Sequence, residues 1–172
     1  MPNPVGHLLI VDDEEDIQEI LSEMLSKSAA IIRTASNGHE ALSIIKSGAV
    51  DAVLSDINMP DMNGLELLFQ IRNLHMDVPF VFLTGYADKV KSVEALRLGA
   101  TDFLEKPFEQ ETVIEVMRKA LELGIAIKDV AAETETLYMS QNIPPDQRLR
   151  LKRAKQAVMM MSRITKIYGK AS

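Results

Sequence analysis

The chain contains no cysteine. Disulfides and thiol chemistry are therefore excluded, and the composition suits a cytoplasmic protein. Histidine is scarce too: His7, His39 and His75 lie far apart, which argues against a histidine-rich metal site. No run of about 18 consecutive apolar residues occurs, so no membrane-spanning helix is expected. The opening Met1-Pro2-Asn3-Pro4 lacks the basic region and apolar core of a secretory signal. Internal repeats and low-complexity segments are also missing.

What is present is a chain of 172 residues, 47% hydrophobic, with a net charge of −6. That is enough apolar material for a real core, and enough length for one domain with an appendage. The charge is unevenly spread. Residues 1–124 carry 10 basic and 21 acidic side chains, a net −11. Residues 125–172 carry 9 basic and 4 acidic, a net +5. The acidic part repels nucleic acid; the basic tail could attract nucleic acid or the acidic part itself.

Strand-like and helix-like segments alternate through residue 124. Short apolar or β-branched runs predict strands at about 7–11, 30–34, 51–55, 79–83 and 101–105. Between and after them, helices are predicted at about 14–27, 37–47, 64–74, 88–98 and 108–123. The first carries Ile17, Ile20, Leu21, Met24 and Leu25 at one-face spacing. Gly48 and Gly99 stand where left-handed helix caps are expected. Five β-then-α repeats give an α/β fold class: a five-stranded, doubly wound parallel sheet covered on both faces.

Four of those runs end in polar residues: Asp12-Asp13, Asp56, Thr84 and Lys106. In an open parallel sheet the strand C-termini share one edge, where sites form. Three carboxylates, a hydroxyl and an ammonium would meet there. Such carboxylates repel one another unless a cation sits among them. Magnesium suits oxygen donors and keeps several waters. Asp13 and Asp56 can supply two oxygens and a nearby backbone carbonyl a third. Attack by an Asp56 oxygen on a phosphoryl donor would give an aspartyl phosphate. Lys106 can pair with the phosphoryl oxygens, and Thr84 can donate to one of them. Singly, each motif has an ordinary reading as helix N-terminus, turn, strand end or loop. Their joint placement on four strand ends points to the site.

The sequence resembles the receiver domain of two-component response regulators over about residues 5–124. The resemblance rests on Val11-Asp12-Asp13, Ser55-Asp56-Ile57-Asn58-Met59-Pro60, Asn63-Gly64, Leu83-Thr84-Gly85, Gly99-Ala100 and Phe103-Leu104-Glu105-Lys106-Pro107-Phe108. It implies a flavodoxin-like receiver in which a histidine kinase or phosphotransfer protein phosphorylates Asp56. It further implies that Asp13, Asp56 and the Asn58 carbonyl bind magnesium directly, with Asp12 acting through water. Thr84 and Phe103 would be the switch residues, although Phe103 also reads as plain core packing. The Lys106-Pro107 bond is expected to be cis, and Tyr86 is expected near the mouth of the site, where its ring could slow hydrolysis. The chain is expected to be a signalling receiver, catalysing only its own phosphorylation and dephosphorylation.

The tail, residues 125–172, matches no such pattern; it has no helix-turn-helix, ATPase or cyclase motif. Val116, Ala120, Leu123, Ile127, Val130, Thr134 and Leu137 follow steps of four and three, an apolar seam. The fifth helix thus either runs on through Gly124 or breaks there. Asn142-Ile143-Pro144-Pro145 stops it, and a last helix is expected from about Asp146 to Tyr168, forming a hairpin. Arg148, Arg150, Lys152, Arg153 and Lys155 form a basic patch without interleaved aromatics, so nucleic-acid binding is not the favoured reading. The favoured one is a homodimer formed through the tail. The alternatives are a nucleic-acid-binding tail, or a phosphotransfer sink without its own output.

Overall fold

The computed structural model describes residues 4–85 and 89–139. The predicted return helix, its Pro-Pro turn, the basic patch and Tyr86 lie outside the described residues.

Five parallel strands form one sheet: β1 (His7–Val11), β2 (Ile31–Ala35), β3 (Ala52–Asp56), β4 (Phe80–Thr84) and β5 (Asp102–Glu105). Their order is β2-β1-β3-β4-β5. The helices between them are α1 (Glu15–Leu25), α2 (Gly38–Lys46), α3 (Gly64–Asn73) and α4 (Lys89–Arg97), with α5 (Gln110–Met139) last. Four strands begin one residue later than predicted, so Asp56 and Thr84 end their strands instead of following them. Both keep the pleat, because they are buried like the apolar residues before them.

Alternation along the strands divides the core into two layers. Leu9, Val11, Val53, Phe80 and Phe82 pack with Ala41, Ile45, Leu67, Leu68, Ile71 and Ala95, which belong to α2, α3 and α4. Leu8, Ile10, Leu54, Val81, Leu83 and Leu104 pack with Leu21 and Leu25 of α1, and with Val113, Met117, Ala120 and Leu121 of α5. β1, β3 and β4 are covered on both sides and read as continuous apolar runs for that reason. β2 is an edge strand, mostly exposed.

Local chemistry sets the helix ends. Asn37 caps α2 by accepting from the Glu40 N–H at 2.9 Å. Asn63 and Glu66 form a reciprocal capping box on α3. Gly48 and Gly99 take φ +77° and +81°, the left-handed caps expected from the sequence. The face of α1 is rotated from the predicted one. Gln18, Leu21 and Leu25 are buried, while Ile20 is 46% exposed.

The chain divides into two units after Gly124, yet α5 crosses that point without a break. A Cβ on Gly124 would lie 1.7 Å from the Asp51 carbonyl oxygen. The glycine is there for close approach, and the helix tolerates it. The seam is also out of phase with the buried stripe. Val113, Met117, Ala120, Leu121 and Gly124 are buried, whereas Val116 and Leu123 are half-buried and Val130 is exposed.

Candidate phosphoryl-acceptor site

The strand order reverses between β1 and β3, and a crevice opens outside the carboxyl ends of strands at such a point. Asp12 follows β1 there, and Asp56 ends β3. Both are buried. The chain reverses after β5 at a cis Lys106-Pro107 bond, and the Lys106 N–H donates to the Thr84 carbonyl at 2.7 Å. That tie between β4 and β5 brings the lysine in. Its Nζ lies 2.7 Å from Asp56 Oδ1 and 3.8 Å from Asp12 Oδ2.

The backbone supplies the remaining contacts. The Asn58 N–H donates to Asp56 Oδ2 at 2.5 Å. The Glu14 N–H donates to Asp12 Oδ1 at 3.0 Å. Gly64 opens α3 directly against β3; a Cβ there would sit 2.3 Å from the Asp56 carbonyl oxygen and 2.9 Å from the Phe82 ring. The glycine in Asn63-Gly64 thus lets the helix start against the acceptor strand.

Burial pushes the Asp12 carboxyl up from its ordinary value. The Glu14 N–H and Lys106 pull it back, while Asp56 and Asp13 raise it further. For Lys106, burial acts downward, but the hydrogen bond and charge of Asp56, with Asp12 and Glu14, outweigh it and raise the ammonium's pKa. The site therefore holds Lys106 charged, while burial first, and the Asp56 and Asp13 charges after it, work against ionisation of Asp12.

The other expected site residues are placed as follows. Thr84 ends β4, buried, one residue beyond Leu83, the register partner of Asp56. Phe103 stacks on Phe82 at 5.9 Å between ring centroids and is half-buried. Asp13 is exposed, yet close enough to Asp12 to raise its pKa. The Asn58 side chain is exposed and accepts a hydrogen bond from Lys91 Nζ of α4.

Two contributors were not singled out from sequence. Lys91 is one. Gln18 is the other: its Nε2 donates to the Asp12 carbonyl at 2.7 Å, and it also reaches the Ala35 carbonyl and Ser36 Oγ. One amide thereby ties the ends of β1 and β2 together behind the acidic pair. The sequence shows it only as a polar residue in register with Leu21 and Leu25, with nothing to name its partners.

The residues fit a magnesium ion. Asp12 Oδ2 is buried without a hydrogen-bond partner, in a site whose donors are hard oxygens. Among the described residues no group of three or more His, Cys, Asp or Glu side chains is placed to hold a metal. Magnesium does not need one, because it binds through one or two carboxylates with water and phosphate oxygens.

A fold and a site of this kind define a receiver, and comparison with known proteins agrees. The family model for the response regulator receiver domain matches residues 8–118. The chain belongs to the response regulator receiver family of two-component signalling. It is similar to the transcriptional regulatory protein FixJ of Rhizobium meliloti (strain 1021), 33% identical over 135 residues, 74% of this chain and 66% of FixJ. It is similar also to the regulatory protein AtoC of Escherichia coli (strain K12), 34% identical over 73% of this chain and 27% of AtoC. The chain thus spans less than two thirds of either relative. Among solved structures, the receiver domain of NtrX from Brucella abortus matches with a TM-score of 0.63 and 38% identity, over 67% of this chain and 98% of that one. No helix among the described residues is long and apolar enough to cross a membrane.

Proposed function

We propose that Asp56 accepts a phosphoryl group from a histidine kinase or phosphotransfer protein, and that the phosphorylated state alters self-association or partner binding through the helical tail. The observation that carries the first part is the Lys106 ammonium 2.7 Å from Asp56, beside the buried Asp12. A carboxylate oxygen of Asp56 attacks phosphorus in line. The bond from phosphorus to the donor's imidazole nitrogen breaks, and the electron pair stays on that nitrogen. Lys106 meets the added negative charge, and the Thr84 hydroxyl donates to a phosphoryl oxygen. Asp13, Asp56 and the Asn58 carbonyl would hold magnesium, with Asp12 acting through water. When bound, the ion would supply neutralisation of the charge on the transferring group. The protein's chemistry is confined to its own phosphorylation and dephosphorylation, and a cytoplasmic site of action suits a cysteine-free chain.

The tail reading rests on α5. It continues to Met139 with Val130 exposed and Ile127 half-buried, so the seam offers an apolar stripe to a second copy. Four-helix cores are one way to bury such stripes. The test is labelling with a phosphorylated kinase, then light scattering of the product. One phosphoryl group per chain, absent in Asp56→Asn, with a phosphorylation-dependent change in mass, is the expected result. Undiminished labelling of Asp56→Asn refutes the site, and an unchanged mass refutes the tail-mediated switch in self-association.

A further inference from the structure

We propose that Lys91 of α4 is a positioning residue for phosphoryl transfer, acting through Asn58; the inference rests on the reading of Asp56 as acceptor. Asn58 stands between two buried anchors, Ile57 and Met59, but is itself exposed. Its N–H donates to Asp56 Oδ2 at 2.5 Å, and its side-chain Oδ1 accepts from Lys91 Nζ. One residue therefore links the acceptor carboxylate to a helix 33 positions further along the chain.

The placement of Lys91 follows from the packing of α4. Ala95 is fully buried against the sheet. Lys91 lies one turn before it, on the same side of the helix. That side carries the ammonium to the loop after β3. Among the described residues the acceptor lies in acidic surroundings: Asp56, Asp12 and Glu14 act on Lys106, and Asp13 acts on Asp12. A phosphoryl donor arrives as an anion. Lys91 therefore does two things. It fixes the Asn58 amide on Asp56 Oδ2, orienting the nucleophile, and it lowers the electrostatic barrier to the donor.

The probe is acetyl phosphate with magnesium, acting on the full chain. An Asp56 oxygen bonds to phosphorus, the bond from phosphorus to the acetyl oxygen breaks, and acetate leaves with the electron pair. Lys91→Ala should lower the apparent second-order labelling rate about five- to tenfold, with an unchanged melting temperature. Lys91→Arg should recover it to within about twofold, since the charge and a donor are kept. In an Asn58→Ala background, Lys91→Ala should cost less, because the route through the side chain is already gone and only the charge contribution remains. A readout free of donor and metal is the Asn58 backbone amide resonance, which should move in Lys91→Ala. Wild-type labelling by Lys91→Ala, no recovery with arginine, an undiminished effect in the Asn58→Ala background, or a stationary resonance each overturns the proposal. Asp56→Asn separates the two levels: if it still labels, the acceptor reading falls and this inference with it. If it does not label and Lys91→Ala is normal, only the role of Lys91 falls.

Discussion

Replacing Gly124 with alanine sets two effects of opposite sign against each other. In an isolated helix the change is favourable by about 1 kcal/mol, because alanine has the better propensity. In this fold the added methyl meets backbone: 1.7 Å to the Asp51 carbonyl oxygen and 2.7 Å to its carbon. Ordinary contact begins at 3.4 Å, so helix and carbonyl must part by 3.4 minus 1.7, about 1.7 Å. Asp51 cannot yield easily. Its N–H donates to the His7 carbonyl at 2.8 Å, and its carboxylate accepts from the His7 N–H at 2.7 Å. The helix must therefore move, lifting Leu121 and Ala120 from the layer they fill. Overpacking costs about 1–3 kcal/mol and occasionally more, and a methyl driven against fixed backbone belongs at the top of that range. After the propensity gain, a net loss of about 2 kcal/mol or more remains. In a domain of this size that lowers the melting temperature by about 6–12 °C. Urea unfolding of the full chain, followed by circular dichroism, measures it. A Gly124→Ala protein as stable as wild type, or more so, would refute the close-approach argument and leave helix propensity in charge.

Three further predictions follow from the same geometry. Arg72→Ala should destabilise by about 2–4 kcal/mol, because its guanidinium donates to the carbonyls of Met76, Val78 and Gly99 and leaves them without it; chemical denaturation checks this. Without divalent ions, Asp12→Asn should stabilise by on the order of 1 kcal/mol, since it keeps an acceptor for Glu14 and removes a buried charge. The pH dependence gives the sign independently. A carboxyl raised on folding binds its proton more readily in the folded state, so the wild type should gain stability as pH falls through the raised value towards the ordinary range; Asp12→Asn should lack that component. Finally, Ile127→Asp with Val130→Asp should yield monomers by light scattering; a wild-type chain that is itself monomeric at tens of micromolar would remove the dimer.

The sheet was legible because the apolar runs are short and end in turn residues or glycines. β3 and β4 each end one residue later than expected for a physical reason. Asp56 and Thr84 look like the ends of hydrophobic runs, but each is buried and hydrogen-bonded into the pleat. The acidic site was legible because its members sit at strand ends, where a parallel sheet gathers them. Gln18, Lys91 and Gly124 were not legible as partners of anything. Their roles depend on contacts with residues distant in sequence: Ala35, Asn58 and Asp51. Periodicity reports which face of a helix is apolar, not which polar atom waits opposite. The α5 seam shows the same limit, since steps of three and four fit two neighbouring stripes, and only packing selects Val113, Met117 and Leu121 as the inner one.

Chemical trapping identifies the acceptor residue directly. The full chain is treated with acetyl phosphate and magnesium, then reduced with borohydride, which converts an acyl phosphate to the corresponding alcohol. Peptide mass mapping then locates the reduced residue. A single reduced aspartate, Asp56, is expected, and none when magnesium is withheld by chelation. Reduction at Asp12 or Asp13, or no reduced residue in the complete mixture, would contradict that assignment.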